Sequence, residues 1–137
     1  MKVLYSTSVQ VSGGRDGRAR SADGFLDVAL AMPKELGGKG GATNPEQLFA
    51  AGYAACFESA LRHVARLQKR PIKESAVTAV VELHAKEGGG FTLAAQFTIS
   101  LPGVDRNDAQ ALINAAHEVC PYSVATRGNM SVQLHLA

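Results

Sequence analysis

The chain has 137 residues, of which 46% are hydrophobic and 19% charged, with a formal net charge of +2. These values fit a single soluble globular domain spanning residues 1–137 and exclude disordered, strongly nucleic-acid-binding and membrane-embedded classes. The basic residues Arg62, Arg66, Lys69 and Arg70 recur at helical spacing, as a solvated helix face does, and no nucleic-acid partner is expected. The N-terminus carries one lysine and no sustained apolar segment, so export is not expected. The longest apolar stretch, Phe49 to Phe57, contains Gly52 and falls far short of the roughly 20 residues that span a bilayer. A cytoplasmic protein is expected, with Cys56 and Cys120 kept reduced and no permanent structural disulfide.

Taken in chain order, residues 2–11 alternate Val3, Tyr5, Thr7, Val9 and Val11 on one face, the period of a half-buried strand. Ser12-Gly13-Gly14 ends it, Arg15 to Arg18 is a polar turn, and strand-like alternation resumes from Phe25 to Ala31, giving an N-terminal β-meander. A loop rich in glycine occupies residues 32–42. A long helix starts near Thr43-Asn44-Pro45-Glu46 and ends near Gln68, before Pro71. Its start admits two capping schemes: Asn44 as N-cap with Pro45 at the first helical position, or Thr43 as N-cap with Glu46 closing a capping box. Leu48, Phe49, Ala51, Ala55, Leu61 and Val64 give it apolar faces broad enough to predict burial on most sides.

Alternation returns over Val77 to Leu83 and Phe91 to Leu101, a hairpin joined through Lys86-Glu87-Gly88-Gly89-Gly90. Asp105 caps a second helix running to about Val119, with Pro121 just beyond its end, and Ser131 to Leu136 is a final strand. The predicted order is βββ-α-ββ-α-β, an α+β domain whose helices pack on mainly antiparallel sheet.

Several motifs fail on chemical grounds. Lys39 in the glycine loop is not followed by Ser or Thr as a phosphate loop requires, Ser59 and Ser123 lack a nucleophile-elbow context, and no His-Glu-x-x-His signature exists. Zinc would need Cys56, His63, His117 and Cys120 to converge, and no metal is expected. A free cysteine taken alone is ordinarily a small buried hydrophobe. Yet Cys120 sits at a helix end before Pro121, where the backbone can rearrange, while Cys56 lies on a buried helix, an arrangement that suits a reversible disulfide.

Three long segments sharpen this. They are Gly13-Gly14-Arg15-Asp16-Gly17-Arg18, the run from Glu35 to Phe57 that includes Asn44-Pro45-Glu46 and Ala54-Ala55-Cys56-Phe57, and Val119-Cys120-Pro121-Tyr122-Ser123 followed by Ala125 to Asn129. Together they resemble the organic hydroperoxide resistance (Ohr) branch of the OsmC/Ohr family across nearly the whole chain. Val124 departs from the asparagine expected between Ser123 and Ala125, which bears on packing near Cys120.

The resemblance implies an OsmC-like fold in an intertwined homodimer with two interfacial sites. It implies a thiol peroxidase that reduces organic hydroperoxides, alkyl or fatty-acyl, without metal, flavin or other cofactor, and that is recharged by dihydrolipoamide or a lipoylated protein. It makes Cys56 the attacking thiolate, Cys120 the resolving thiol, Arg15 the cation beside the thiolate and Glu46 the carboxylate that orients Arg15.

That chemistry has physical requirements. A free thiol with a pKa near 8.5 is mostly protonated at neutral pH, while the thiolate is the nucleophile. Cys56 lies beyond first-turn reach of its helix dipole, so a cation such as Arg15 must lower its pKa, by roughly one to three pH units for a close pair. Tyr53 and Phe57 flank Cys56 and are expected to help form an apolar pocket favouring organic hydroperoxides over hydrogen peroxide. On a straight helix Glu46 and Cys56 are about 15 Å apart in rise and some 80° apart in rotation, so two antiparallel copies of the helix would be needed to unite them, unless the helix breaks near Gly52. The competing expectation is a non-enzymatic stress or small-molecule binding protein with structural zinc or inert thiols.

Overall fold

In the computed structural model, which describes residues 1–137, strands β1 (Val9–Ser12), β2 (Arg18–Ser21) and β3 (Asp27–Ala29) precede helix α1 (Pro45–Leu67). They are followed by β4 (Ala76–Ala85), β5 (Phe91–Ser100), helices α2 (Arg106–Val119) and α3 (Pro121–Thr126), and β6 (Ser131–Leu136). Two compact units result, Met1–Leu48 and Phe49–Ala137.

In the first unit β1, β2 and β3 form an antiparallel sheet in that order. The strand expected over residues 2–11 is shorter and shifted, because only Val9 to Ser12 find a partner, opposite Arg18 to Ser21. Val3, Tyr5, Val9 and Val11 are all exposed, so the alternating face has no cover within the chain. The β1–β2 connection is a short 3₁₀ turn over Gly14–Asp16. Gly17 closes it with no alternative, since a Cβ there would sit 1.6 Å from the Ser12 carbonyl oxygen.

The start of α1 selects between the two capping schemes. Asn44 Oδ1 accepts from the Gln47 N–H at 2.9 Å, which makes Asn44 the N-cap and Pro45 the first helical residue. The Thr43–Glu46 capping box is not used: Thr43 Oγ1 donates instead to Gln47 Oε1 at 2.7 Å.

In the second unit the core forms where one stripe of α1 meets β5 and α2. Tyr53, Phe57, Ala60, Leu61 and Val64 recur at helical spacing and are buried with Ala95, Phe97 and Ile99 of β5 and Ala109, Leu112, Ile113 and Ala116 of α2. The expectation that α1 is buried on most sides does not hold within the chain, because Ala51, Ala55, Ser59 and His63 on the opposite face are exposed. The helix continues unbroken through Gly52. It stops at Leu67, so Lys69, with φ of 57°, and Arg70 lie beyond the predicted basic helix face. Arg62 pairs with Glu58, and Arg70 with Asp108.

β4 and β5 pair antiparallel from Ala76–Ser100 to Ala85–Phe91, the predicted hairpin. β6 joins β5 in parallel, with Ala94 opposite Ser131 and Ile99 opposite Leu136. This parallel pair follows from α2 serving as the crossover between them. Asp105 caps α2 by accepting from the Asn107 and Asp108 N–H groups, as expected. Pro121 does not merely end that helix: it begins α3, which the sequence pattern did not suggest. No helix is long and apolar enough to cross a membrane.

A buried polar network interrupts this core. Tyr53, with no exposed surface, has its hydroxyl 2.9 Å from Ser123 Oγ and 3.2 Å from Thr126 Oγ1, and Ser123 Oγ is 2.8 Å from His117 Nδ1. Burial first, and then the Arg127 charge, hold the His117 imidazole below the ordinary histidine pKa, with Glu118 opposing. The unfolded chain therefore takes up this proton at higher pH than the folded one. His117 contributes stability that is complete above the unfolded-state value of about 6.5 and is lost as pH falls through the lower folded-state value. Denaturant midpoints should decline over that acidic window, and His117→Gln should flatten the decline. A variant profile parallel to that of the unmodified protein would remove His117 as its source.

Candidate active site

The first unit holds Arg15 in place by local geometry. Gly13, with φ of 79°, turns the chain into the 3₁₀ segment, and Asp16 Oδ1 accepts from the Met32 N–H at 3.1 Å, tying the segment to the glycine-rich loop. Arg15 then reaches Glu46, in the first turn of α1, through two parallel bonds: Nη1 to Oε2 at 3.1 Å and Nη2 to Oε1 at 2.8 Å. Such a two-pronged pair fixes the plane of the guanidinium, which a lysine could not match. With 30% of the arginine side chain and 16% of the glutamate side chain exposed, the pair is sheltered but not sealed. Because Asn44 caps the helix, Glu46 is released from any capping duty and keeps both oxygens for Arg15.

The second unit brings the two cysteines together. Cys56 is half-buried on α1 and Cys120 is fully buried at the corner between α2 and α3, both as free thiols. The corner is extended at Cys120, with φ of −63° and ψ of 121°, while its N–H still bonds the Ala116 carbonyl. The Cys120 side chain and the Tyr122 main-chain N–H lie close enough to Cys56 to act on the titration of its thiol. Burial pushes the Cys56 thiol above its ordinary pKa, Cys120 adds to the rise, and the Tyr122 N–H opposes it by favouring the anion. This direction is opposite to the depression expected from the sequence. The physical reason is desolvation of a half-buried sulfur beside a second group of the same chemistry.

Tyr122 is held over α1 by the absence of a side chain at Gly52, where a Cβ would lie 2.7 Å from the Tyr122 hydroxyl oxygen and 3.3 Å from its ring. Its ring packs against Phe49 and Tyr53, with centroids 6.3 Å and 5.6 Å away. The expectation that Tyr53 and Phe57 line a substrate pocket is corrected. Both are completely buried, stacked on Phe97 at 4.5 Å and 5.9 Å between ring centroids, and neither offers surface to a ligand. Four residues apart, they share the core-facing stripe of the helix. Of the aromatic rings packed together here, Phe49 and Tyr122 are the ones that keep exposed surface.

The convergence that zinc would require is not formed, since no three His, Cys, Asp or Glu side chains come together. Val124, the departure from the resembled motif, is exposed on α3, and its N–H still bonds the Cys120 carbonyl at 3.0 Å, so it leaves the packing of Cys120 intact. Sequence reasoning missed the grouping of Tyr53, His117, Ser123 and Thr126. Its one available signal was the placement of His117 and Ser123 three residues either side of Cys120.

Comparison with known proteins identifies the family and the fold. A family model described as OsmC-like protein matches residues 38–135. The organic hydroperoxide resistance protein of Xanthomonas axonopodis pv. citri is 49% identical over 138 residues, covering 99% of this chain and 96% of that protein. The organic hydroperoxide resistance protein OhrB of Bacillus subtilis is 47% identical, covering 97% of this chain and 98% of its own. Among solved structures, an organic hydroperoxide resistance protein from Legionella pneumophila matches with a TM-score of 0.96 at 53% identity over 99% of both chains. The structure of Bacillus subtilis OhrB matches with a TM-score of 0.91 at 47% identity, over 98% of this chain and all of that one. With likeness of this extent in both sequence and fold, the chain belongs to the OsmC/Ohr family, in its organic hydroperoxide resistance branch.

Proposed function

We propose that this protein is a cysteine-based peroxidase that reduces organic hydroperoxides to alcohols. The observation that carries the proposal is the meeting of Cys56 and Cys120, distant in sequence, in a chain whose relatives are named for organic hydroperoxide resistance. The Cys56 thiolate attacks a peroxide oxygen, the O–O bond breaks, and the alkoxide leaves as alcohol after taking a proton, with sulfenic acid left on Cys56. The Cys120 thiol then displaces that hydroxyl as water, forming a Cys56–Cys120 disulfide. A dithiol such as dihydrolipoamide, free or on a lipoylated protein, restores both thiols by two exchange steps and leaves as its own disulfide. No cofactor takes part, and the setting is the reducing cytoplasm.

Mass spectrometry of reduced protein given one equivalent of cumene hydroperoxide tests this sequence. The expected product has lost two hydrogens and links Cys56 to Cys120, and hydrogen peroxide should produce it more slowly. Cys56→Ser should abolish peroxide consumption, whereas Cys120→Ser should accumulate a Cys56 sulfenic acid without turnover by dithiol. A Cys120→Ser protein in which Cys56 resists oxidation would sink the assigned order.

The raised pKa of Cys56 favours the competing possibility of an inert thiol in a binding protein. Arg15, fixed by Glu46, is the cation we assign to overcome it. In a Cys120→Ser background, the pH midpoint of Cys56 alkylation should lie below the ordinary thiol value of about 8.5. Arg15→Ala should raise that midpoint by roughly one to three pH units, and Glu46→Ala by less. A high midpoint that neither substitution moves would assign Cys56 to the inert class.

The functional unit is inferred to be a homodimer in which each site is completed across a twofold axis. In support, Val3, Leu4, Tyr5, Val9 and Val11 are left exposed by the single chain, and α1 has no break at Gly52 to fold its first turn back. Glu46→Ala and Cys56→Ser chains mixed under verified subunit exchange should recover activity, because one of the two sites in a mixed dimer is then intact. Absence of recovery would place Glu46 and Cys56 of a site in one chain.

A further inference from the structure

We propose that Tyr53 and Ser123 are positioning residues for the second half of the reaction, holding the Cys120 thiol in place to meet Cys56. The inference rests on the peroxidase proposal for its biological setting, but its geometry is independent of peroxide. Ser123 Oγ is the hub. It lies 2.9 Å from the Tyr53 hydroxyl and 2.8 Å from His117 Nδ1. His117 and Ser123 stand three residues before and after Cys120, so one hydroxyl joins the two sides of the corner that carries the resolving thiol. Tyr53 stands three residues before Cys56 on α1, one helical turn away, so the same hydroxyl joins that corner to the helix carrying the attacking thiol.

Proton accounting shows that the network has a consistent direction. Thr126 can donate to the Tyr53 oxygen, in place of the Ser123 carbonyl 3.3 Å away, Tyr53 to Ser123 and Ser123 to the unprotonated Nδ1 of a neutral His117, giving the Tyr53 and Ser123 hydroxyls each a donor role and an acceptor role. No buried side-chain nitrogen or oxygen is left without a partner. Arg127 closes the corner from outside, its guanidinium bonding the His117 carbonyl and its main-chain N–H bonding the Ser123 carbonyl at 2.9 Å. A core that needed only packing would be served as well by Phe and Ala at positions 53 and 123. Hydroxyls at both positions, fully buried and joined to each other, fix a distance between two elements that apolar contact alone leaves adjustable.

The step affected is the condensation of Cys56 sulfenic acid with Cys120, in which the S–O bond breaks, the S–S bond forms and water leaves. Attack of Cys56 on peroxide forms no bond to Cys120, and a displaced corner withdraws the Cys120 thiol, which disfavours the Cys56 anion, together with the Tyr122 N–H, which favours it, so the two effects on the first step offset in part. A loosened corner should therefore slow the second step while sparing the first, and should lengthen the time during which a second peroxide can convert the sulfenic acid to sulfinic acid.

The test compares the full-length protein with Tyr53→Phe, which removes one oxygen and keeps the ring against Phe97, and with Ser123→Ala and Ser123→Thr. Rapid-quench mass spectrometry with cumene hydroperoxide, with dimedone trapping the sulfenic acid, separates the two steps. Tyr53→Phe and Ser123→Ala should leave the first rate within about twofold and slow disulfide formation about tenfold or more. Ser123→Thr, which retains the hydroxyl, should recover much of the second rate.

A peroxide-free arm equilibrates the same proteins with a glutathione redox buffer and reads the fraction of Cys56–Cys120 disulfide. Tyr53→Phe and Ser123→Ala should lower that equilibrium constant about tenfold, about 30 mV for a two-electron couple. An unchanged disulfide equilibrium, or equal slowing of both steps, would overturn the positioning role. If the unmodified protein is not oxidised at Cys56 by peroxide but the equilibrium shifts as stated, the peroxidase proposal fails and the positioning role stands.

Discussion

Two sulfur atoms can exchange bonds only if rigid elements bring them together, and in this chain the buried stripe of α1 sets that geometry. Tyr53, Phe57, Leu61 and Val64 face the sheet and α2 with almost no exposure. Fully burying side chains of this size contributes about 1.5–3 kcal/mol each before conformational entropy is counted. The stripe fixes the rotation of the helix, and that rotation leaves Cys56 half-buried at its border. The sulfur is thus partly sheltered while remaining beside the corner that carries Cys120. A helix turned by one residue, about 100°, would carry it away from that corner.

Shelter has an electrostatic consequence. The burial that protects Cys56 also disfavours its anion, and the adjacent Cys120 acts in the same direction. The Tyr122 N–H is the opposing dipole, and it is present because Gly52 lets the tyrosine lie against α1. One neutral donor is a modest counterweight to desolvation, and in the first unit the half-sheltered Arg15–Glu46 pair is a charge held in a fixed orientation. A paired arginine keeps its full positive charge but has part of its field cancelled by the carboxylate. Glu46 therefore gains orientation of the guanidinium at some loss of electrostatic strength, which suits a cation that has to be aimed.

What the sequence revealed divides along the range of the forces involved. Asp105 as a cap, the β4–β5 hairpin and β6 were legible because each depends on neighbours within a few residues or on strict alternation. Pro121 just beyond α2 reads as a helix stop, yet a proline is equally suited to a first helical position, and spacing alone does not distinguish the two, which is why α3 is not legible. Residues 2–7 alternate correctly for a strand but lie outside the sheet, and periodicity carries no information about the partner. The thiols and the Arg15–Glu46 pair were identified through resemblance. Spacing alone would have left Arg15 as a polar turn residue and Glu46 as a member of a capping box. Tyr53 and Phe57 were assigned to a pocket because they are next to Cys56 in sequence, whereas the helix turns them into the core.

The polar network shows why adjacency in sequence misled at these positions. Tyr53 looks like a pocket residue when its ring is considered and like a core residue when its burial is considered, yet its hydroxyl answers to neither description. A phenol oxygen without a partner in a core costs about 1–3 kcal/mol, so the site is tolerable only because Ser123, Thr126 and His117 meet it there. Those partners come from two later helices, and none is useful to the others until the chain has folded. Their arrangement makes the α2–α3 corner dependent on correct packing of α1, and the same packing determines where Cys56 stands. Core formation and alignment of the two sulfurs are therefore one structural event, and a fold that packed the stripe correctly but lost the hydroxyls would keep its shape while losing control of the Cys120 corner.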